Sequence, residues 1–344
     1  MNKLTDFFPI FNHSKKQILL FNSKLPLANT IKNSIDTQEY KRSNLYNFFS
    51  DFNEYFSDGY IFYIINHTEG HNLDRISDNN KKYSLKTVLK EFPVKILTGN
   101  LIEIENHIPC MTWFEPDIIK TLDKEIKFIF NFDKKFLFLN RIPKLHRVFL
   151  YEEMLKTGIL EESFYSFNPE KITDYIGYNT NHEFKSVEEN YEFNDKETEY
   201  FKNEKFNIDV FYKNSFCSIV SESEYENDIL FFTEKIVKPI LMYHPFIVFS
   251  SPFYLKTLKE FGFKTFDRWW DESYDIELDY KKRIEKIIKS VNTINSKSKE
   301  ELIIIKKEME DTLIHNKSML FKFHKLYPQY FSHFDFTNNT NPII

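Results

Sequence analysis

Phe231-Phe232-Thr233-Glu234-Lys235-Ile236-Val237-Lys238-Pro239, followed by the apolar run Pro245-Phe246-Ile247-Val248-Phe249, is the stretch of this 344-residue chain that decides its fold. Thr233 is of the type that caps a helix start, which leaves Glu234 and Lys235 in the first turn. The pattern predicts a helix over residues 233–242 and a buried strand over Phe246–Phe249. Phe216–Val220, just upstream, reads as another buried strand. Strand, helix, strand in that order predicts a parallel sheet with crossover helices.

The same pattern extends outward in both directions. Gln17–Phe21, Gly59–Ile65 and Pro93–Thr98 read as strands, with a helical pattern over Leu85–Phe92. Gly70 and Gly99 follow two of these strands closely, as tight turns at the carboxyl edge of a sheet would. A second α/β unit begins near Lys127, with a strand at Phe136–Asn140 and a helix over Lys144–Lys156 that Gly158 stops. Residues 168–206 are acidic and irregular and read as a long loop. A helix over Pro252–Phe261 and a short strand at Lys264-Thr265-Phe266 close this unit. Leu278–Val291 is an amphipathic helix, and Ser298-Lys299-Glu300-Glu301 is a capping box opening a long one to about Leu326.

Bulk properties set the frame. The length suits two domains better than one. The boundaries fall at residues 1–125 for an acceptor-side unit, 126–310 for a donor-side unit, and 311–344 for a terminal helix and tail. A net charge of −5 with a pI near 6.1 does not favour a general nucleic-acid binder. Two cysteines, Cys110 and Cys217, build neither a disulfide framework nor a cysteine-based zinc site. There is no secretory h-region near Met1 and no run long enough for a membrane span. A cytoplasmic protein is the expectation.

Five groups of residues are candidates for chemistry. At Thr233-Glu234-Lys235, free backbone N–H groups attract phosphate, Lys235 adds a point charge, and Glu234 can accept from ribose hydroxyls. An ordinary capped helix is the alternative there. Nucleotide sugars combine hydroxyls with phosphates and suit such a pair. At Asn140–Arg147 four groups that can be cationic, Arg141, Lys144, His146 and Arg147, surround one strand-to-helix turn. Cations there oppose the helix dipole, and a bound polyanion would account for them. At Asn66–His71, Glu69 follows a strand and is placed to act as a base; a metal site or a structural turn are the alternatives. Glu222, just after Phe216–Val220, binds a sugar or ribose or caps a loop. Asp271-Glu272-Ser273-Tyr274-Asp275 suggests a divalent metal less than it suggests an acidic loop capping the helix that follows.

Taken in order, these pieces resemble the donor domain of the α1,3-fucosyltransferases. That family carries a strand leading to Glu-Asn-Ser, a Tyr-Val-Thr-Glu-Lys helix start and a Val-Pro-Val-Val strand. Here the tract reads Cys217–Ser223, then Phe231–Lys235, then His244–Val248. The family's arginine before a Tyr-x-x-Leu helix corresponds to Arg147, with Tyr151 and Leu155 following. Its catalytic base corresponds to Glu69. Departures are Gly70-His71 for Ser-Pro, Ser223 for Asn, Phe231 for Tyr, and Tyr243-His244 for a glycine. The longer tract, with Gly262–Phe266 and Asp271–Asp275, also looks like uncharacterised proteins of large viruses and phages, for which host cytoplasm or virion would be the location.

The resemblance implies an α/β fold of two Rossmann-like domains facing a cleft, the GT-B arrangement, with C-terminal helices. It implies an inverting, metal-independent glycosyltransferase that uses no cofactor. The donor would be a nucleotide-diphosphate sugar such as GDP-fucose, and the acceptor a glycan or glycoprotein. Arg147, Glu222, Glu234 and Lys235, with Arg141 and Lys144, would bind the donor, and Glu69 would deprotonate the acceptor. A nucleotide-sugar-dependent enzyme that modifies DNA and a non-catalytic carbohydrate-binding or virion protein that keeps the fold are the other classes.

Overall fold

The structure is a computed structural model that describes residues 17–21, 53–59, 61–66, 91–101, 107–109, 128, 130–140, 144–166, 209–227 and 229–331. Glu69, Arg141, Gly70, most of the 85–92 helix pattern and the 168–206 loop lie outside these residues. The chain forms two compact units. One gathers Met1–Trp113, Asp228–Phe231 and Lys325–Ile344; the other gathers Phe114–Asn227 and Phe232–His324.

In the first unit, β1 (Gln17–Phe21), β2 (Ile61–Asn66), β3 (Val94–Thr98) and β4 (His107–Pro109) form a parallel sheet in sequence order. They are rich in the apolar and β-branched residue types that strands favour. A short helix α1 (Asn53–Ser57) precedes β2. The 228–231 segment is tied in at Leu230, whose N–H donates to Asn100 Oδ1 at 3.0 Å and whose carbonyl accepts from Leu101 N–H at 2.6 Å.

The second unit is built on β5 (Lys134–Leu139), β6 (Ser163–Ser166), β7 (Ser215–Ser221) and β8 (Phe246–Phe249), all parallel, in the order β6-β5-β7-β8. Every residue of β7 and β8 is buried, as a sheet covered on both faces requires. Helix α2 (Leu145–Lys156) follows β5 and ends at Thr157 and Gly158, the glycine taking φ 71°. After a short helix α3 (Asp209–Lys213) and β7, helix α4 (Glu234–Leu241) crosses to β8. Helix α5 (Tyr254–Glu260), α6 (Tyr280–Asn295), α7 (Lys299–Glu308) and α8 (Glu310–Phe331) complete the described chain. α6 packs on α2 and β8 through one apolar face.

This strand order has a reversal. From β5 the chain moves to β6 on one side, and from β7 it moves to β8 on the other. The loops leaving β5 and β7 therefore diverge at their carboxyl ends, and that divergence is where open α/β sheets hold ligands.

Several expectations change. Lys264–Phe266 is not a strand, because side chains take its backbone groups. Asn316 accepts from Lys264 N–H and donates to Lys264 carbonyl, and Glu272 accepts from Phe266 N–H. The long C-terminal helix is two helices, interrupted at the fully buried Met309, with Glu310 and Asp311 opening the second. β4, β6 and α3 had no strong sequence signal. The first two are short strands at the ends of their sheets, and β4 contains Pro109, which an edge tolerates. Tyr243 takes φ 51°, the left-handed region that favours glycine.

Candidate functional site

The site is the divergence itself, where the exits of β5 and β7 meet the starts of α2 and α4. Its centre is Ser221-Glu222-Ser223-Glu224, whose first member ends β7. Two lysines bond Ser223. Lys144, just before α2, donates from Nζ to the Ser223 carbonyl at 2.8 Å and to Glu224 Oε1 at 3.1 Å. Lys235, in the first turn of α4, donates from Nζ to Ser223 Oγ at 3.3 Å and to Glu234 Oε1 at 3.0 Å. Arg147, 3% exposed, donates from Nη2 to the carbonyls of Glu222 at 3.1 Å and Ser221 at 3.3 Å.

Glu222 is 0% exposed and faces inward. Its Oε2 accepts from Thr233 Oγ1 at 2.5 Å and its Oε1 accepts from Tyr254 OH at 2.6 Å. Thr233 in turn caps α4, its Oγ1 accepting from Lys235 N–H at 3.1 Å. Burial pushes the Glu222 carboxyl above the ordinary carboxylate value, with Lys235 and the bonds from Thr233 and Tyr254 opposing the shift. Burial and the Glu222 charge push the Tyr254 phenol up in turn. Glu222 thus holds the start of α4 in place. Tyr254 has no motif around it, and only the structure shows its part.

Glu234 is half-buried and paired with Lys235. Burial raises its carboxyl, but Lys235 and Lys238 outweigh that and hold it below the ordinary value. Glu234 and Lys235 therefore present a charge pair at the helix start.

His146 is not one of the cations. It is 0% exposed, and burial, with Arg147 beside it, pushes its ring well below the ordinary imidazole value. Its Nε2–H donates to the Glu222 carbonyl at 2.9 Å, and its ring stacks on Tyr225 with centroids 4.5 Å apart. Lys144 and Arg147 have partners in the chain's own carbonyls and, for Lys144, in Glu224, which offset their opposition to the dipole of α2.

The acidic stretch 271–275 is structural. Asp275 accepts from Leu255 N–H at 2.7 Å and Lys256 N–H at 3.0 Å, capping α5, the helix before it rather than the one after. The helix after it, α6, is capped by Asp279. Glu272 holds Thr265 and Phe266, and burial raises its carboxyl to about 7. Among the described residues no group of three or more His, Cys, Asp or Glu side chains is placed to hold a metal ion. Among them, too, no helix is long and apolar enough to cross a membrane.

Arg283 of α6 sits under the site loop and is 1% exposed. Its Nη1 donates to the carbonyls of Ser250 at 2.6 Å and Tyr225 at 2.8 Å, its Nε to Glu277 carbonyl at 2.8 Å, and its Nη2 to Asn227 Oδ1 at 3.3 Å. Burial lowers its pKa to about 10. An arginine one turn before Ile287 on the apolar face of α6 was the sequence signal for it.

Comparison with protein-family models, with curated proteins and with solved structures finds no match for this chain.

Proposed function

We propose that the chain is an inverting glycosyltransferase. It moves a sugar, fucose being the one the resemblance implies, from a nucleotide-diphosphate sugar to a hydroxyl of a glycan or protein. The observation that carries this reading is the convergence of Lys144 and Lys235 on Ser223, with Arg147 beside them, where the loops leaving β5 and β7 diverge. Cations held on rigid elements at such a crevice suit a diphosphate.

In this reading Lys235 exchanges Glu234 for a phosphate oxygen, and Lys144 exchanges Glu224. As the sugar–oxygen bond breaks, negative charge grows on the diphosphate and the bonds from Lys235, Lys144 and Arg147 strengthen. Bonds that strengthen on the way to the transition state lower the barrier. The three cations supply that neutralisation, so the reading calls on no metal. Glu234, freed from Lys235, takes ribose hydroxyls, while Glu222 keeps the turn in place. Glu69, after β2, takes the acceptor proton, and a GT-B arrangement brings it to the sugar.

The test is donor binding. Lys235 is half-buried, and its removal takes one 3.3 Å bond from the buried Ser223 Oγ, so Lys235→Ala is read beside its unfolding midpoint. A panel of GDP-, UDP-, CMP- and dTDP-sugars, read by thermal shift and then by calorimetry, identifies the donor. Lys235→Ala is expected to weaken it about tenfold or more, roughly 1.4 kcal/mol. Unchanged affinity in both Lys235→Ala and Arg147→Ala sinks the assignment.

A further inference from the structure

Asn140 Nδ2, His146 Nδ1 and Ser221 Oγ are buried and have no hydrogen-bond partner. The three residues are 5%, 0% and 2% exposed. A buried polar atom left unsatisfied costs about 1–3 kcal/mol. Whole domains carry only about a few such atoms per hundred residues. Three around one turn call for a partner from outside the chain.

The three belong to one neighbourhood. Leu137 of β5 lies opposite Ser218 of β7. Continuing that register sets Asn140 opposite Ser221, and partners in a parallel pair share a face. Ser221 lies opposite Phe249 of β8, whose ring stands edge-on to His146 at 5.3 Å between centroids. His146 also bonds the carbonyl of Glu222, the residue after Ser221. The start of α2 above them has no side-chain cap, Lys144 standing at the cap position.

Their hydrogen-bonding roles select a ligand group. His146 is neutral, and its Nε2 faces a carbonyl and so carries the proton. Nδ1 is therefore an acceptor. Asn140 Nδ2 is a donor, and Ser221 Oγ is either. The set needs one group that both donates and accepts, which a hydroxyl does. An ionised phosphate oxygen only accepts, and it would face the Nδ1 lone pair.

We propose that Asn140, His146 and Ser221 bind a ring hydroxyl of the nucleotide sugar whose diphosphate lies against Lys144, Arg147 and Lys235. This rests on the donor reading above and adds the part of the ligand that carries no charge. His146 becomes the residue that separates a hydroxylated ligand from bare phosphate.

Ser221→Ala removes an atom that bonds no protein group, so the fold should be kept. Calorimetry on the full chain, wild type and variant, uses inorganic pyrophosphate, GDP, UDP, GDP-fucose and UDP-glucose. The expected result is a loss of about five- to tenfold for a hydroxyl-bearing ligand, the worth of one hydrogen bond, with pyrophosphate affinity unchanged. Equal loss on GDP and GDP-fucose puts the hydroxyl on ribose; loss on GDP-fucose alone puts it on the sugar. Equal affinities of wild type and variant for every ligand overturn the proposal, as does an equal loss on pyrophosphate. So does an unfolding midpoint several degrees lower, which would make Ser221 structural. A wild-type chain that binds none of the nucleotides overturns the donor reading, and this proposal with it.

Discussion

The starts of α2 and α4 flank the same crevice, and they are finished differently. α4 is closed. Thr233 caps it, Glu222 holds Thr233 and is itself held by Tyr254, and Glu234 pairs with Lys235. α2 is open. A lysine stands where a cap belongs, its first turn has no acid, and His146 in that turn keeps an unpartnered ring nitrogen. In sequence, Thr233-Glu234-Lys235 is the more suggestive of the two. In the structure it is the one whose polar groups are the better satisfied from within. A closed helix start serves the fold first, whereas an open one with unpartnered buried atoms is poised for a ligand. Weight therefore moves from Glu234 and Lys235 toward Lys144, His146 and Arg147.

Three measurements would break or sharpen this contrast. The largest effect belongs to Glu222→Ala, which takes away the acceptor of the Thr233 and Tyr254 hydroxyls in the core. We expect a loss of about 3 kcal/mol in urea unfolding. A loss under about 1 kcal/mol would mean that α4 does not depend on this clamp.

The second uses pH on the same residue. Burial raises the Glu222 carboxyl in the folded chain above its ordinary 4.5. The folded state thus binds the proton more tightly than the unfolded state does. The stability this contributes is fully present below pH 4.5 and is lost as the pH rises through the folded-state value. Glu222→Gln cannot titrate, so the wild type should lose stability relative to it as the pH rises. A difference that stays flat or changes the other way refutes the buried, proton-holding Glu222.

The smallest is Lys144→Ser, which gives α2 the cap it lacks. A cap adds about 0.5–1 kcal/mol, while the lost pair with Glu224 at 3.1 Å takes back under about 1 kcal/mol. Stability should therefore shift by less than about 1 kcal/mol while nucleotide affinity falls several-fold. A variant that binds donor as well as wild type would show that the open start has no ligand to serve.

Much of the scaffold was legible because local rules sufficed. Gln17–Phe21 and Phe246–Phe249 are strands with the expected ends, and Thr233 and Ser298 cap as their types suggest. Lys264–Phe266 misled because a strand also needs a neighbour, and its backbone bonds go to Glu272 and Asn316 instead. The positions of Lys144, Arg147 and Lys235 follow from strand–helix order and so could be read ahead. The inward turn of Glu222 could not, since it depends on Tyr254 from another element. Neutral His146 was equally hidden, because its charge is set by burial rather than by residue type.

Arg283 imposes an order on the chain's own manufacture. The carbonyls of Tyr225 and Ser250 that it holds belong to the exits of β7 and β8, yet it lies 58 and 33 residues beyond them. During synthesis β7, α4 and β8 leave the ribosome before their tie exists. The crevice loop waits for α6, so a nascent chain stopped short of residue 283 carries the strands without a settled site. An earlier segment of the polypeptide is thus held in place by a later one.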